Sequence, residues 1–179
     1  MPLEAFREHW RERHAPLIVR LPGIRRYVQN VPLRSEAPYD ALAESSFDDT
    51  QAMKTLARSP EYAAVLEDEP RFIDRDSMGS LITEEHMLKD GSPPSTAIKT
   101  IAFVKREPGT PIDDFFRALL DDGKRAAQAQ DIVRYVQCHA RRAIYDSGRE
   151  PTYDAVAMTW RSEIAADASS FPVTERIVV

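Results

Sequence analysis

Three residue types that can carry acid-base chemistry occur in the first half of the chain: a histidine, a tyrosine and a carboxylate. His14 lies four residues after Trp10, and Tyr39 and Glu44 lie in a later segment of alternating residues. An imidazole titrates near pH 6.5 and can accept or donate a proton close to neutrality. These residues predict a catalytic group in which His14 moves a proton, Tyr39 orients a substrate oxygen and Glu44 is a second base.

His14 belongs to a predicted amphipathic helix near the start of the chain. At about 100° per residue, one side of this helix collects the apolar residues Leu3, Phe6, Trp10 and Leu17. His14 lies on the flank of that stripe, and Pro16 is expected to kink or end the helix and leave free carbonyl groups beside it. The alternative is a structural histidine bonded to a backbone carbonyl. His9 is expected to be solvated.

A predicted strand over residues 39–47 carries the other two candidates on opposite faces. Tyr39 lies on a face of small residues, which either lets a helix pack closely or leaves room for a ligand. Glu44 would accept a proton near neutrality if it were buried alone, and the alternative is an ion pair with Arg25 or Arg26 across the strands. Trp10, Tyr27 and Gln29 are expected to contact the substrate.

Other kinds of site find little support in the sequence. There are only 6 glycines and no glycine-rich phosphate loop, no Cys-x-x-Cys pair and no Gly-x-Ser-x-Gly elbow. His9 and His14 are five residues apart, whereas two metal ligands on one face of an α-helix are four apart. We therefore expect neither a metal nor an organic cofactor.

The composition is that of a globular protein with a mild negative charge. Of 179 residues, 42% are hydrophobic and 30% charged, which excludes a disordered or fibrous chain. The net charge of -5 argues against a nucleic-acid partner, and no apolar run approaches the roughly 20 residues of a membrane helix. One cysteine, Cys138, and the lack of a signal-peptide pattern predict a cytoplasmic protein.

Four blocks of the first half recur in the same order in the second half. The matching pairs are residues 2–6 and 111–115, 24–29 and 132–137, 39–43 and 153–157, and 82–87 and 173–178. Such self-similarity indicates a repeat. The sequence therefore predicts a tandem duplication, with one repeat over residues 1–90, a linker rich in turn formers over 91–97 and a second repeat over 98–179.

Each half has the same pattern of strands and helices. The second half predicts strands at 98–104, 132–139, 153–160 and 176–179, a helix capped by Thr110 and a short helix before the last strand. This β-α-β-β-α-β order is that of an α+β, ferredoxin-like unit. In the first half, residues 50–67 predict a helix interrupted at Ser59–Pro60, and the first strand is missing. Because its absence would leave backbone groups unpaired, we expect a segment upstream of Met1 or a partner's strand to fill the gap.

The first half resembles the EthD family. The resemblance covers nearly all of it, through residues 3–17, 22–30, 39–44, 59–61 and 68–74. Its specific part is Phe-x-x-x-Trp-x-x-x-His-Ala-Pro followed by Arg-Tyr-Val-Gln, although Ala41 stands where the family usually has glycine. The second half has Leu119 at the counterpart of Trp10, and Gly123 or its neighbour at the counterpart of His14. A site built on that pair should therefore occur once per chain.

The resemblance implies a dimeric α+β barrel, closed either within one tandem chain or between two copies in a homodimer. It also implies a cofactor-independent acid-base enzyme of the lyase, isomerase or cyclase type, acting on a small apolar oxygenated or aromatic compound. The alternatives are a non-catalytic small-ligand-binding or accessory protein of a catabolic or biosynthetic pathway and, third, a haem-binding barrel.

Overall fold

The computed structural model describes residues 1–162 and 170–179. The strands are β1 (Ile24–Pro32), β2 (Leu42–Phe47), β3 (Thr83–Lys89), β4 (Ile98–Val104), β5 (Ile132–Ala140), β6 (Ala155–Arg161) and β7 (Phe171–Ile177). The α-helices are α1 (Leu3–His9), α2 (Ala15–Ile18), α3 (Thr50–Leu56), α4 (Pro60–Asp68), α5 (Ile112–Ala126) and α6 (Arg142–Asp146). A π-helical turn (Trp10–His14) joins α1 to α2, and a 3-10 turn (Glu69–Arg71) follows α4. The chain is thus α+β, as expected.

The chain divides into two compact units. The first unit comprises residues 1–32, 36–78 and 175–179, and the second comprises 33–35 and 79–174. Strand β3 belongs to the second unit, and the last five residues belong to the first. Between β3 and β4 the backbone forms no helix or strand. The division into two repeats joined by a linker over residues 91–97 stays a prediction.

In the second unit β4 is paired on both sides, with β6 and with the first residues of β7. Strand β5 lies between β6 and β3, and all of these pairs are antiparallel. The last strand begins at Phe171 and not near Arg176 as expected, because Pro172 hides the strand pattern in the sequence but still pairs with Thr100. The short helix predicted between β6 and β7 falls on residues 163–169, outside the described residues.

Helix α5 packs on the face of small residues that the sequence singled out. Gln137 on β5 donates its side-chain Nε2 to the carbonyl oxygen of Leu119 at 3.0 Å, and Ala157 on β6 packs against the buried cluster that contains Tyr135. In this unit the small residues therefore let a helix approach the sheet. The helix begins at Ile112 without a side-chain cap, so the predicted cap at Thr110 is wrong.

In the first unit β1 pairs with β2 on one side and with the end of the chain on the other. The backbone N–H of Tyr27 donates to the carbonyl oxygen of Val179 at 2.8 Å, and its carbonyl oxygen accepts from the N–H of Val178 at 2.9 Å. The core on the helix side consists of Ala15, Ile18, Leu21, Tyr27, Leu56 and Val65. This core fixes α2 and α4 on the sheet.

The second helical region of the first unit is divided as predicted. Helix α4 starts after Ser59, whose hydroxyl oxygen accepts from the N–H of Tyr62 at 3.1 Å, and Pro60 is its first residue. Asp49 caps α3 in the same way by accepting from the N–H of Ala52. The interruption at Ser59–Pro60 is therefore confirmed, and the division lets α4 end at Asp68.

The strand pairs β1–β2 and β5–β6 have the same register. Opposite residues are Val28 and Glu44, Gln29 and Ala43 in one pair, and Val136 and Met158, Gln137 and Ala157 in the other. Both registers shift at the same place, between Ile24 and Arg26 and between Ile132 and Arg134. The two similar blocks of sequence thus form similar local structures. Within the described residues, no helix has both the length and the apolar character to span a membrane.

Gly91 makes a close backbone contact that no other residue type fits. A Cβ atom at this position would lie 2.1 Å from the carbonyl oxygen of Val133. Gly91→Ala is expected to lower the free energy of unfolding by about 1–3 kcal/mol, because backbone atoms must move apart. Urea unfolding checks this, with Ser92→Ala at an exposed neighbouring position expected to change stability by less than about 0.5 kcal/mol. Equal stabilities of the two variants would contradict the close contact.

Candidate functional site

The helix that carries His14 changes geometry along its length. Leu3–His9 is α-helical, Trp10–His14 forms a π-helical turn and Ala15–Ile18 is α-helical again. A π turn has i→i+5 hydrogen bonds, so residues five apart approach the same face. The chain does not end its helix at Pro16, which is tolerated near the start of α2. The irregularity lies before the proline and turns His9 and His14 toward the same partner.

Both imidazoles bond to one carboxylate, that of Asp68 at the end of α4. Nε2 of His9 lies 2.9 Å from Oδ1, and Nδ1 of His14 lies 3.0 Å from Oδ2. Because an ionised carboxylate only accepts hydrogen bonds, each of these nitrogens donates a proton to it. The expectation that His9 is solvated is therefore wrong: its side chain is only 14% exposed. Asp68 and His14 are each 5% exposed.

The carboxylate sets the tautomer and the protonation state of His14. A proton on Nδ1 leaves the lone pair of the neutral ring on Nε2. Burial lowers the pKa of His14 below its ordinary value, and the hydrogen bond to Asp68 opposes this only in part. Burial works to raise the pKa of Asp68, but hydrogen bonds from His9 and His14 outweigh it and hold that pKa below its ordinary value. Near neutral pH the pair is a carboxylate beside a neutral imidazole, which is a base.

An aromatic ring covers both histidines. The ring of Phe72 stacks on His9 with centroids 4.6 Å apart and tilts against His14 at 4.9 Å. Phe72 is itself buried, and its ring centroid lies 5.6 Å from that of Phe6 in α1. Apolar cover lowers the local dielectric constant and strengthens the hydrogen bonds to Asp68. We call His9, His14, Asp68 and Phe72 the imidazole cluster.

The three expected substrate-binding residues meet between the helix and β1. Gln29 donates from Nε2 to the carbonyl oxygen of Trp10 at 2.9 Å, and its Oε1 accepts from Arg176 at 3.1 Å. Trp10, Tyr27 and Gln29 are all buried, and burial raises the pKa of Tyr27 despite hydrogen bonds to Gln29 and Trp10. These contacts hold the π-helical turn on the sheet, and a direct role in binding substrate stays a prediction.

Glu44 lies on the other face of the sheet. It stands opposite Val28, whereas the next residue of β1, Gln29, points to the helix. Arg26 donates to its carboxylate at 3.3 Å and Asn30 at 2.6 Å, so the expected ion pair with Arg26 forms. Tyr39 precedes β2, which begins at Leu42 and not at Tyr39 as expected. Their roles as a second base and a positioning group stay predictions.

Comparison with known proteins gives one match. The first 76 residues match the family model described as the EthD domain. Residues 1–76 are an EthD domain. No curated protein and no solved structure matches the chain. All four residues of the imidazole cluster lie inside the EthD domain, and so do Trp10, Tyr27, Gln29, Tyr39 and Glu44.

Asp68 and the π-helical turn of the EthD domain were missed by the sequence analysis, although a signal for the turn exists. Phe6 and Tyr27 are 21 positions apart, whereas their counterparts Phe115 and Tyr135 are 20 apart. The first half thus has one more residue between these two matched positions, which is what a π-helical turn accommodates. The corresponding helix α5 is continuously α-helical over 15 residues. No local pattern identifies Asp68, which is 54 positions from His14.

An open depression of about 340 Å³ borders the imidazole cluster of the EthD domain. It is lined by Met1, Ala5, Glu8, His9, Glu12 and Arg13. His9 is therefore the member of the cluster that lines this depression, and His14 is not among the lining residues. Within residues 1–162 and 170–179, no group of three or more His, Cys, Asp and Glu side chains could hold a metal ion.

Proposed function

We propose that this chain is a cofactor-independent acid-base enzyme of the lyase, isomerase or cyclase type that acts on a small apolar oxygenated or aromatic compound. The observation that carries the proposal is the bond between Asp68 and Nδ1 of His14, which leaves the lone pair of a neutral imidazole on Nε2. A carboxylate that orients an imidazole and stabilises its protonated form is a recurrent general-base arrangement.

In the proposed reaction Nε2 of His14 takes a proton from a carbon or oxygen atom of the substrate. The imidazolium that forms is stabilised by the Asp68 carboxylate, and the proton returns to another atom of the substrate or to the leaving group. Phe72 excludes water from the charged pair. Tyr39 orients a substrate oxygen, and Trp10, Tyr27 and Gln29 contact the substrate.

The confinement of the π-helical turn to one copy supports this assignment. A π turn inside an α-helix is rare and frequently occurs at functional sites. Here it brings His9 and His14 to one carboxylate, while α5 has Gly123 or its neighbour at the counterpart of His14 and no such turn. The additional residue therefore builds the imidazole cluster and is not needed for the fold of the other copy.

We also propose that the two halves are ferredoxin-like repeats. Beyond the shared strand registers, one hydrogen bond recurs: Gln29 donates to the carbonyl oxygen of Trp10, and Gln137 to that of Leu119. The two donors and the two acceptors are counterparts in the matched blocks. On this proposal only the first repeat carries the acid-base group.

A second candidate function is a non-catalytic ligand-binding or accessory protein. The observation that favours it is the enclosure of His14, which is 5% exposed while His9 lines the open depression. In that case the two imidazoles serve to tie the helix of residues 3–18 to α4 through Asp68.

Deuterium exchange into ligands distinguishes the two functions. Small oxygenated apolar and aromatic compounds are incubated with the protein in D2O, and NMR follows both their conversion and the exchange of their C–H groups. We expect conversion or exchange that His14→Gln lowers at least about 100-fold, with His86→Gln in the second unit as the control. Tight binding without either change would support the accessory function, and full activity of His14→Gln would remove His14 from the reaction.

A further inference from the structure

The two imidazoles of the imidazole cluster reach Asp68 through different nitrogens. His9 bonds through Nε2 and His14 through Nδ1, each to its own oxygen of the carboxylate. Because the bonded nitrogens donate, the neutral ring of His9 keeps its lone pair on Nδ1. Among the described residues, Nδ1 of His9 has no hydrogen-bond partner. His9 is thus oriented by a carboxylate in the same way as His14, and it also keeps one nitrogen available as a base.

The two histidines differ in their access to small molecules. His9 is partly exposed and lines the depression of about 340 Å³, whereas His14 is buried and does not line it. Ligand sites have volumes of about 300–1,000 Å³, so the depression is large enough for a small compound. Phe72 stacks on one face of the His9 ring, and the bond to Asp68 fixes the rotation of that ring. His9 is therefore the member of the cluster that a compound in the depression can contact.

Arg13 adds a positive charge to the same depression. It lies four residues after His9, is exposed, and forms no ion pair or side-chain hydrogen bond with any described residue. Of the two carboxylates in the lining, Glu8 and Glu12, the second is bonded to Arg11. A guanidinium and a base that line one depression suit a compound that gains negative charge on an oxygen atom when it loses a proton.

We propose that His9 is a further catalytic residue and that the depression holds the compound on which it acts. Nδ1 of His9 takes a proton from a carbon atom of the compound. The electron pair of that C–H bond stays in the compound and places negative charge on an oxygen atom, which Arg13 binds. The Asp68 carboxylate stabilises the imidazolium of His9, which then returns the proton to the compound or to water. The inference rests on the proposed acid-base function and adds His9 to it as the base on the accessible side of the cluster.

Elimination of nitrobenzisoxazole tests the proposal in the full chain. A base removes the C–H proton of this small aromatic compound, the electron pair forms a nitrile, and the N–O bond breaks to release a coloured phenolate. We expect His9→Gln to lower the catalysed rate at least about tenfold, because the glutamine amide can still donate to Asp68 but is not a base. A purely structural role of His9 predicts that this variant keeps the parent rate. His86→Gln, the same substitution in the second unit, is the control.

A second pair of variants locates the reaction in the depression. Ala5 lines the depression, and Ala5→Trp fills it while the imidazole cluster keeps all four of its residues. We expect this variant to lower the rate at least about tenfold, because the compound can no longer reach His9. The control is Ala63→Trp, at an exposed position of α4 outside the lining, which is expected to keep the parent rate. Urea unfolding measures whether each variant is folded.

The outcomes separate this inference from the function on which it rests. A parent rate in His9→Gln with a lowered rate in His14→Gln would overturn the role of His9 and leave that of His14 in place. No elimination above the rate in buffer would also overturn the inference, and deuterium exchange would still decide the proposed function. A parent rate in Ala5→Trp would show that the depression is not the site. If His9→Gln does not fold, the comparison of Ala5→Trp with Ala63→Trp decides.

Discussion

Asp68→Ala is expected to lower the free energy of unfolding by about 3 kcal/mol. The side chain accepts one hydrogen bond from each of two enclosed imidazoles, and its removal leaves both N–H groups without an acceptor. Hydrogen bonds to a charged group contribute about 1.5–3 kcal/mol each, and part of this is recovered when the helices relax. Urea unfolding at pH 7 measures the change.

Two further measurements make this prediction specific. Asp40→Ala removes an exposed carboxylate from the same unit and is expected to change stability by less than about 0.5 kcal/mol. Nitrogen-15 NMR of the imidazoles should show His14 protonated at Nδ1 in the parent protein, and a mixture of tautomers in Asp68→Ala. A loss of stability no larger than that of Asp40→Ala, with an unchanged tautomer, would contradict the assigned hydrogen bonds.

Acidification from pH 6.5 to about 4 is expected to cost about 3 kcal/mol of stability through His139 alone. Burial lowers the pKa of His139 to about 4, with a further contribution from His86, whose ring lies 4.4 Å away. An unfolded histidine titrates near pH 6.5, so between these values the unfolded state binds a proton that the folded state does not. The stabilisation is therefore complete above pH 6.5 and falls by about 1.4 kcal/mol for each pH unit below it.

Unfolding in urea at several pH values between 4 and 8 checks the effect. His139→Phe keeps an aromatic ring against Phe116, which stacks on the histidine at 4.7 Å. Below pH 6.5 the free energy of unfolding of this variant should fall less steeply with falling pH than that of the parent. The free energy of unfolding of His139→Phe is expected to keep some dependence on pH, because the pKa of His14 is also lowered. Between pH 7 and 8 the free energy of unfolding should depend on pH equally in the parent and in His139→Phe. If the pH dependence of the two proteins were also equal below pH 6, His139 would not be held neutral in the folded state.

The local elements of the fold follow closely from the sequence. Local sequence patterns correctly predicted β5 and the start of α4. They also singled out the face of small residues, but did not decide between a helix and a ligand as its neighbour, and the structure places α5 there. The errors arose where a local signal had a competing explanation. Thr110 has the side chain of a cap but the helix begins two residues later, and Pro172 concealed the start of β7.

The candidate site was predicted in part. The sequence singled out His14 and its neighbour Trp10, and it weighed the ion pair of Glu44 and Arg26 that the structure contains. It placed His9 in solvent because a regular α-helix was assumed. The π-helical turn changes which side chains share a face, and an angle of 100° per residue no longer applies between His9 and His14.

The sequence alone determined the repeated blocks, the α+β order and the resemblance of the first half to EthD proteins. These features depend on the periodicity of apolar residues and on the residues that begin and end helices, which act over a few positions. Only the tertiary structure decided that Asp68, 54 positions away, meets His14. That contact depends on how α4 packs against the first helix, and the free energy that fixes such packing is shared among many distant side chains and is not carried by any local pattern.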